Sequence, residues 1–311
     1  RQPPACIHFG SCGGCALQHL SPTSYTAFKQ GQIARMLQSL NLAPEIMTEM
    51  LEVGAHSRRR AEFKVSVHSG EITLGFQKAQ THQLIDVVQC PVLEPVIEQF
   101  LPALREQIKA MHTPSAINAV GITAFEAGLD VVLTLRTALK ARDHQAWLAF
   151  AQDLRIIRLT QQLQQEELRN LYDTSEAVVQ HGEVCVAVPP ASFQQASSVA
   201  GVAMQAMVTA AMQACASVID LYAGCGTFSF LLAMQGKTVM AVEGSHDMVF
   251  AMHNAIHAAG LEHRITTQIR DLFSEPLPAA QLKNYDGVVI NPPRNGALPQ
   301  IKQIAQSSVA T

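Results

Sequence analysis

The stretch from Val218 to Glu243 limits the folds open to this 311-residue chain more than any other. Val218 to Tyr222 reads as a short apolar strand, Gly224-Cys225-Gly226 as a tight turn, Thr227 to Met234 as a helix, and Lys237 to Val242 as a second strand closing on Glu243. The helix Ser245 to Ala259 follows, then strands at Arg264 to Ile269 and Asp286 to Ile290, the last running into Asn291-Pro292-Pro293. Parallel strands need a crossover to return the chain, so strands alternating with helices predict a doubly wound parallel sheet. The expected fold class is α/β, with a Rossmann-like domain over residues 189–311.

Before Pro189-Pro190 the pattern is different. Ser21-Pro22 opens a helix through about Leu40, ended by Asn41 to Pro44 and expected to pack on the second domain. Phe63, Val65 and Val67 alternate with Glu62, Lys64 and Ser66, and Ser69-Gly70 turns the chain into Ile72, Leu74 and Phe76, a β-hairpin. A strand at Leu84 to Val88, hairpins at Ile117 to Arg136 and Ala177 to Val188, and a helix at Ala141 to Leu154 complete a mostly antiparallel α+β domain over residues 1–188. The run Gln161 to Gln165 reads as a solvated helix face. Ser198 to Ala216, Ala- and Met-rich but broken by Gln205 and Gln213, reads as a buried helix rather than the roughly 20 predominantly apolar residues of a membrane span.

Hydrophobic residues make up 48% of the chain, which excludes general disorder, and 22 Lys+Arg against 25 Asp+Glu leave a net charge of -3. No global basic field advertises a nucleic-acid partner, so any such partner must be bound through local sites. The chain opens on Arg1 without a secretion signal, which suggests a shortened start and a cytoplasmic protein. A monomer with no membrane partner is expected. Of seven cysteines, Cys6, Cys12 and Cys15 form a C-x5-C-x2-C array and Cys90 precedes a proline. Four thiolates suffice for a closed metal site in a reducing compartment, and spacing leaves zinc and an iron–sulfur cluster equally open. Cys185, Cys215 and Cys225 are expected to be inert buried thiols. His253 and His257, one helical turn apart, read as surface histidines.

Glycines at the carboxyl end of a strand let a ligand approach the backbone, and Glu243, about 20 residues on, can accept both hydroxyls of a ribose. Ser229 stands where a dinucleotide fingerprint has its third glycine, so a cofactor without a pyrophosphate, S-adenosylmethionine, fits better. Asp220-Leu-Tyr-Ala-Gly-Cys-Gly226, Ala-Val-Glu243-Gly and Asn291-Pro-Pro-Arg294 resemble motifs of the class I methyltransferases. With Cys-x5-Cys-Gly-Gly-Cys, Leu17-Gln-His-Leu20, Arg58-Arg-Arg-Ala-Glu-Phe-Lys-Val, Leu74-Gly-Phe, Cys90-Pro and Phe193-x-Gln195, the chain closely resembles the bacterial RNA uracil-5 methyltransferases over nearly its whole length. The resemblance implies a 4Fe-4S cluster on Cys6, Cys12, Cys15 and Cys90, S-adenosylmethionine contacts at Gln195, Tyr222, Glu243, Asp271 and Asn291, and a further family contact position at Thr227. Gly224 and Gly226 join that set through the turn. Asp271 can equally be an N-cap before Leu272. Arg58, Arg59, Arg60 and Lys64 are candidates for RNA phosphate contacts.

The chain departs from the family in two places. Asn291 stands where the family has Asp, so the charge of a carboxylate is missing. The family's nucleophilic cysteine and later base are expected beyond Thr311, and the 311-residue chain alone is expected to be inactive. Two other readings compete: an amino-methyltransferase using Asn291-Pro292-Pro293, whose fourth residue should then be aromatic rather than Arg294, and a non-catalytic iron–sulfur RNA-binding protein.

Overall fold

A computed structural model describes residues 1–41, 50–164 and 166–309. They form two compact units, Arg1–Ala124 with Gly128–Thr174 and Ala196–Ala200, and Phe125–Ala127 with Ser175–Gln195 and Gly201–Thr311.

In the first unit, helix α1 (Pro22–Ser39) begins at Ser21, whose Oγ accepts the Ser24 N–H at 3.4 Å. It buries no residue. Asn41 then takes a left-handed φ of 57°, and Pro44 lies outside the described residues. Strands β1 (Arg60–His68) and β2 (Glu71–Gln77) pair with His68 opposite Glu71, and Ser69 and Gly70 between them both have positive φ, as a two-residue hairpin turn demands. After β3 (Leu84–Asp86) comes α2 (Pro95–Ala110), which buries Ile97, Phe100, Leu101, Leu104 and Ile108 at helical spacing. β4 (Ile117–Ala124), β5 (Leu129–Leu135), α3 (Ala141–Asp153), β6 (Ile156–Leu163) and β7 (Arg169–Asp173) complete a seven-stranded sheet in the order β3-β2-β1-β4-β5-β6-β7. Every neighbouring pair is antiparallel except β5–β6, which α3 connects as a crossover.

Gln161 and Gln162 lie in β6, paired with Leu133 and Thr134 of β5, not on a helix face as the composition suggested. The β-branched Ile156-Ile157 start of that run, buried in the sheet, overrides the glutamines. Gln165 lies outside the described residues. Gly75 of the Leu74-Gly-Phe phrase is explained by packing, since a Cβ there would stand 2.1 Å from the Ile85 carbonyl oxygen of β3.

The second unit starts with the hairpin β8 (Val178–His181) and β9 (Val184–Ala187), so by its contacts this hairpin groups with the parallel sheet and not with the antiparallel one. Val184 and Val186 face inward, and strand alternation turns Cys185 outward to solvent, contrary to the buried thiol expected. Helix α4 (Ser198–Ala211) is also not the apolar core helix expected. Only Gly201 and Gln205 of it are buried, while Val199, Val202 and Met207 are exposed. β10 (Ser217–Leu221), α5 (Ser229–Met234), β11 (Thr238–Glu243), α6 (His246–Ala258), β12 (Ile265–Ile269), α7 (Ala279–Leu282), β13 (Gly287–Ile290) and α8 (Leu298–Gln306) follow. The strands form an all-parallel sheet in the order β12-β11-β10-β13. Among the described residues no helix is long and apolar enough to cross a membrane.

Candidate cofactor site

β10 has β11 on one side and β13 on the other, so the connections leave this part of the sheet in opposite directions and open a crevice at the carboxyl ends. A cleft of about 180 Å³ lies there. Tyr222 enters it from the end of β10, Glu243 from β11, Arg270, Asp271 and Phe273 from the loop after β12, and Pro293 and Asn295 from the loop after β13.

The glycine turn is built from left-handed backbone, with φ of 61° at Tyr222, 59° at Gly224 and 85° at Gly226. Gly226 has no alternative, because a Cβ there would lie 2.5 Å from the Phe230 ring. Gly224 faces open space, with no atom within 4 Å of where its Cβ would be, which is the room a ligand needs. Glu243 braces the turn: one carboxylate oxygen accepts the Gly224 N–H and the other the Ser245 N–H, both at 2.9 Å. A carboxylate has about four acceptor positions, so each oxygen keeps one for a ligand. Asp271 accepts from the Phe273 N–H at 3.0 Å and from the Ser274 hydroxyl at 2.7 Å, and these bonds hold its carboxyl below the usual range. It caps the turn that starts at Leu272, and its exposed oxygens retain acceptor capacity. The Tyr222 hydroxyl is buried without a hydrogen-bond partner, and burial together with the Asp271 charge pushes its pKa up.

Beneath the turn, Asp220 is fully buried. Oδ2 accepts the Ser229 hydroxyl at 2.7 Å, Oδ1 has no partner, and desolvation pushes the carboxyl up to about 7 despite the Ser229 bonds, with Glu243 adding repulsion. Ser229 thus fills the strand–helix contact that a third glycine makes in dinucleotide folds. Cys225 is buried, and desolvation with the Glu243 charge pushes its thiol up to about 12, so at neutral pH it is no nucleophile.

Five residues expected at the cofactor, Gly224 and Gly226 of the turn with Gln195, Thr227 and Asn291, do not line this cleft. Gln195 packs beside Gly201 of α4. Thr227 offers its carbonyl to Gln205 at 3.0 Å. Asn291 bonds through its backbone N–H to Leu221, while Pro293 and Asn295 of the same loop reach the cleft. Arg270 and Phe273 do line it and were not singled out from the sequence. The signal available was an aromatic residue two positions after the strand-end acid.

In the first unit, the N-terminal cysteine loop is pinned by the Gly13 N–H to Gln77 and by the Val88 N–H, which His8 Nε2 accepts at 3.3 Å. Cys6, Cys12, Cys15 and Cys90 are all half-buried. Burial raises the Cys90 thiol; N–H groups of Val92 and Leu93 counter this, and the nearby Cys6 and Cys15 raise it further. Three of the four thiols therefore stand within electrostatic reach of one another. Among the described residues no three Cys, His, Asp or Glu groups converge as they would on a single metal ion. The basic run is partly sequestered. Desolvation lowers the pKa of Arg59, beside Glu94, and of Arg60, beside Glu62, and Lys64 pairs with Glu62 at 2.5 Å. Arg58 is the exposed member. His257 bonds Glu262 at 2.7 Å on the surface.

Comparison with known proteins identifies the fold and the family. The tRNA (uracil-5-)-methyltransferase family matches residues 25–307. The chain belongs to that family. It is 33% identical to an uncharacterised RNA methyltransferase of Mesorhizobium japonicum, with 99% of this chain and 73% of the relative covered. It is 31% identical to the 23S rRNA (uracil(1939)-C(5))-methyltransferase RlmD of Halomonas elongata, covering 99% and 67%. The crystal structure of the Pyrococcus abyssi tRNA (uracil-54, C5)-methyltransferase in complex with S-adenosyl-L-homocysteine has the same fold, with a TM-score of 0.73 and 16% identity over 96% of this chain and 73% of that one.

The buried acid under the turn yields a test. Folding raises the Asp220 pKa from 3.8 to about 7, so the native state binds this proton more tightly. Its contribution is most favourable below about pH 4 and is lost as pH rises toward 7, a penalty on the order of 4 kcal/mol. Asp220→Asn keeps an acceptor for Ser229 and removes the penalty. Its gain in melting temperature over the unsubstituted protein should grow between pH 5 and pH 8; a gain independent of pH would show that Asp220 does not titrate there.

Proposed function

We propose that this protein transfers the methyl group of S-adenosylmethionine to carbon 5 of a uridine in a structured rRNA or tRNA. What carries the reading is the cleft at the carboxyl edge of the parallel sheet, where Tyr222, Glu243 and Asp271 come from three successive strand ends in a chain of the uracil-5 family. Glu243 would accept the two ribose hydroxyls on its remaining lone pairs, Asp271 the adenine amino group, and Tyr222 with Phe273 would flank the adenosine. Gly224, Gly226 and Thr227 would face the sulfonium from the turn, and Gln195 and Asn291, outside the cleft lining, would meet the methionine end.

Uracil carbon 5 is too electron-poor to attack a sulfonium unaided. In the proposed reaction a cysteine thiolate adds to carbon 6, the enolate so formed takes the methyl group from sulfur, and a base removes the carbon 5 proton so that the thiolate can leave. None of the seven cysteines fits that role. Cys215 and Cys225 are buried, Cys185 lies on the outer face of a hairpin, and Cys6, Cys12, Cys15 and Cys90 are assigned below to a cluster. Arg58 is proposed as the leading phosphate contact, since Arg59, Arg60 and Lys64 already face acids. Cys6, Cys12, Cys15 and Cys90 are proposed to hold a 4Fe-4S cluster. What supports this is that Cys90, distant in sequence, lies within electrostatic reach of Cys6 and Cys15. The cluster would tie the N-terminal loop to the segment before α2.

Disrupting the gene should remove one 5-methyluridine from rRNA or tRNA, read by mass spectrometry of nucleoside digests. Restoring it with Glu243→Ala should not return the modification, and that substitution should weaken S-adenosylmethionine binding about tenfold, as expected for lost charge-assisted hydrogen bonds. Unchanged nucleosides after disruption would refute the assignment. Protein purified without oxygen should carry about four irons and four sulfides per chain; stoichiometric zinc without labile sulfide would exclude the cluster. With 5-fluorouridine RNA the 311-residue chain should form no covalent adduct on a denaturing gel, and an adduct would assign the nucleophile to Cys185, Cys215 or Cys225.

A further inference from the structure

Gln205 interrupts the apolar sequence of α4, yet it is one of only two buried residues of that helix. Burying an amide is costly unless it is hydrogen-bonded. Here Nε2 lies 3.0 Å from the Thr227 carbonyl oxygen and 2.9 Å from Nδ1 of His181, at the end of β8. A carbonyl only accepts, so the atom facing Thr227 is the amide nitrogen. Its second hydrogen points to Nδ1, which must accept, and the imidazole carries its proton on Nε2. The same ring stacks on Phe230, with centroids 6.1 Å apart and planes at 15°. Phe230 in turn fills the space beside Gly226 where a side chain would stand. A polar arm and an apolar arm from His181 therefore both end on the glycine turn.

That turn needs outside support. Three of its residues, Tyr222, Gly224 and Gly226, have left-handed backbone, and Tyr222 is not a glycine. Such conformations persist only where the surroundings over-determine them. The helix that follows, α5, has six residues and no side-chain cap at Phe228. Glu243 holds the turn at the Gly224 N–H, toward the cleft. We infer that Gln205, oriented by His181, is a positioning residue that holds the same turn from behind through the Thr227 carbonyl and so sets the affinity for S-adenosylmethionine without touching it. The inference rests on the cofactor reading above.

The test is calorimetric titration of the protein with S-adenosylmethionine, with hydrogen exchange of the Gly224 to Thr227 amides. Gln205→Met keeps the volume and deletes the donor; binding should weaken about tenfold and exchange in the turn should speed up. His181→Phe keeps a ring on Phe230 and removes only the acceptor, and should weaken binding a few-fold. It also carries the test if the methionine variant fails to fold. Lys237→Met is the control: Lys237 is buried in the same unit and donates to the Cys215 carbonyl at 2.8 Å. It should lower the melting temperature and leave affinity within about twofold of the unsubstituted protein. Gln205 and His181 variants that behave like this control, losing stability but not affinity, would overturn the inference. Failure of the unsubstituted protein to bind would instead overturn the cofactor reading, and the inference with it.

Discussion

Glu243 accepts the Gly224 N–H on one carboxylate oxygen and the Ser245 N–H on the other, and the carboxyl edge of the parallel sheet depends on that pair of bonds. The first bond ties the end of β11 to the turn after β10; the second orients the start of α6. A left-handed turn bridged in this way presents open space at Gly224 rather than collapsing onto the strand end. The cleft beside it exists because β10 is also the strand at which the sheet order reverses.

Low dielectric under the turn sets the chemistry of its side chains. Asp220 and Cys225 sit in the same desolvated layer near the Glu243 charge, and both are pushed toward their protonated forms. The Cys225 thiol in the turn is therefore protonated at neutral pH and is not available for covalent attack. The Tyr222 hydroxyl is buried too, and burial with the Asp271 charge pushes its pKa up.

The first unit solves a different problem. Its long mixed sheet is closed over by α2 and α3, with Trp147 and Phe63 fully buried, and the buried Arg158–Asp130 pair spans β5 and β6. Against that frame the N-terminal residues form little regular structure and are held by the Gly13 N–H to the Gln77 carbonyl at the end of β2 and by the His8 ring, which accepts the Val88 N–H. The placement brings the distant Cys90 to Cys6 and Cys15. Arg59 and Arg60 stand beside Glu94 and Glu62, so that Arg58 is the exposed arginine of that run.

Periodicity and turn chemistry were enough to read most elements: the Ser69-Gly70 hairpin, the strand–glycine–helix run from Val218, and the carboxylate closing β11 are all local, and local patterns survive without the rest of the chain. The elements misread were those decided by partners far away in sequence. The glutamines after Thr160 are in a strand because β5 and β7 flank them, Cys185 is exposed because its hairpin neighbours face inward, and α4 buries its polar Gln205 while exposing valines because a carbonyl and an imidazole wait on that side. The site divides in the same way. Residue types and spacing marked Tyr222, Glu243 and Asp271, since each closes a strand; only the folded chain decided that Arg270 and Phe273 share their cleft, that Asn291 stands outside its lining, and that His181 supports the turn, because hydrogen-bond and packing partners are chosen by distance in space and not by position along the chain.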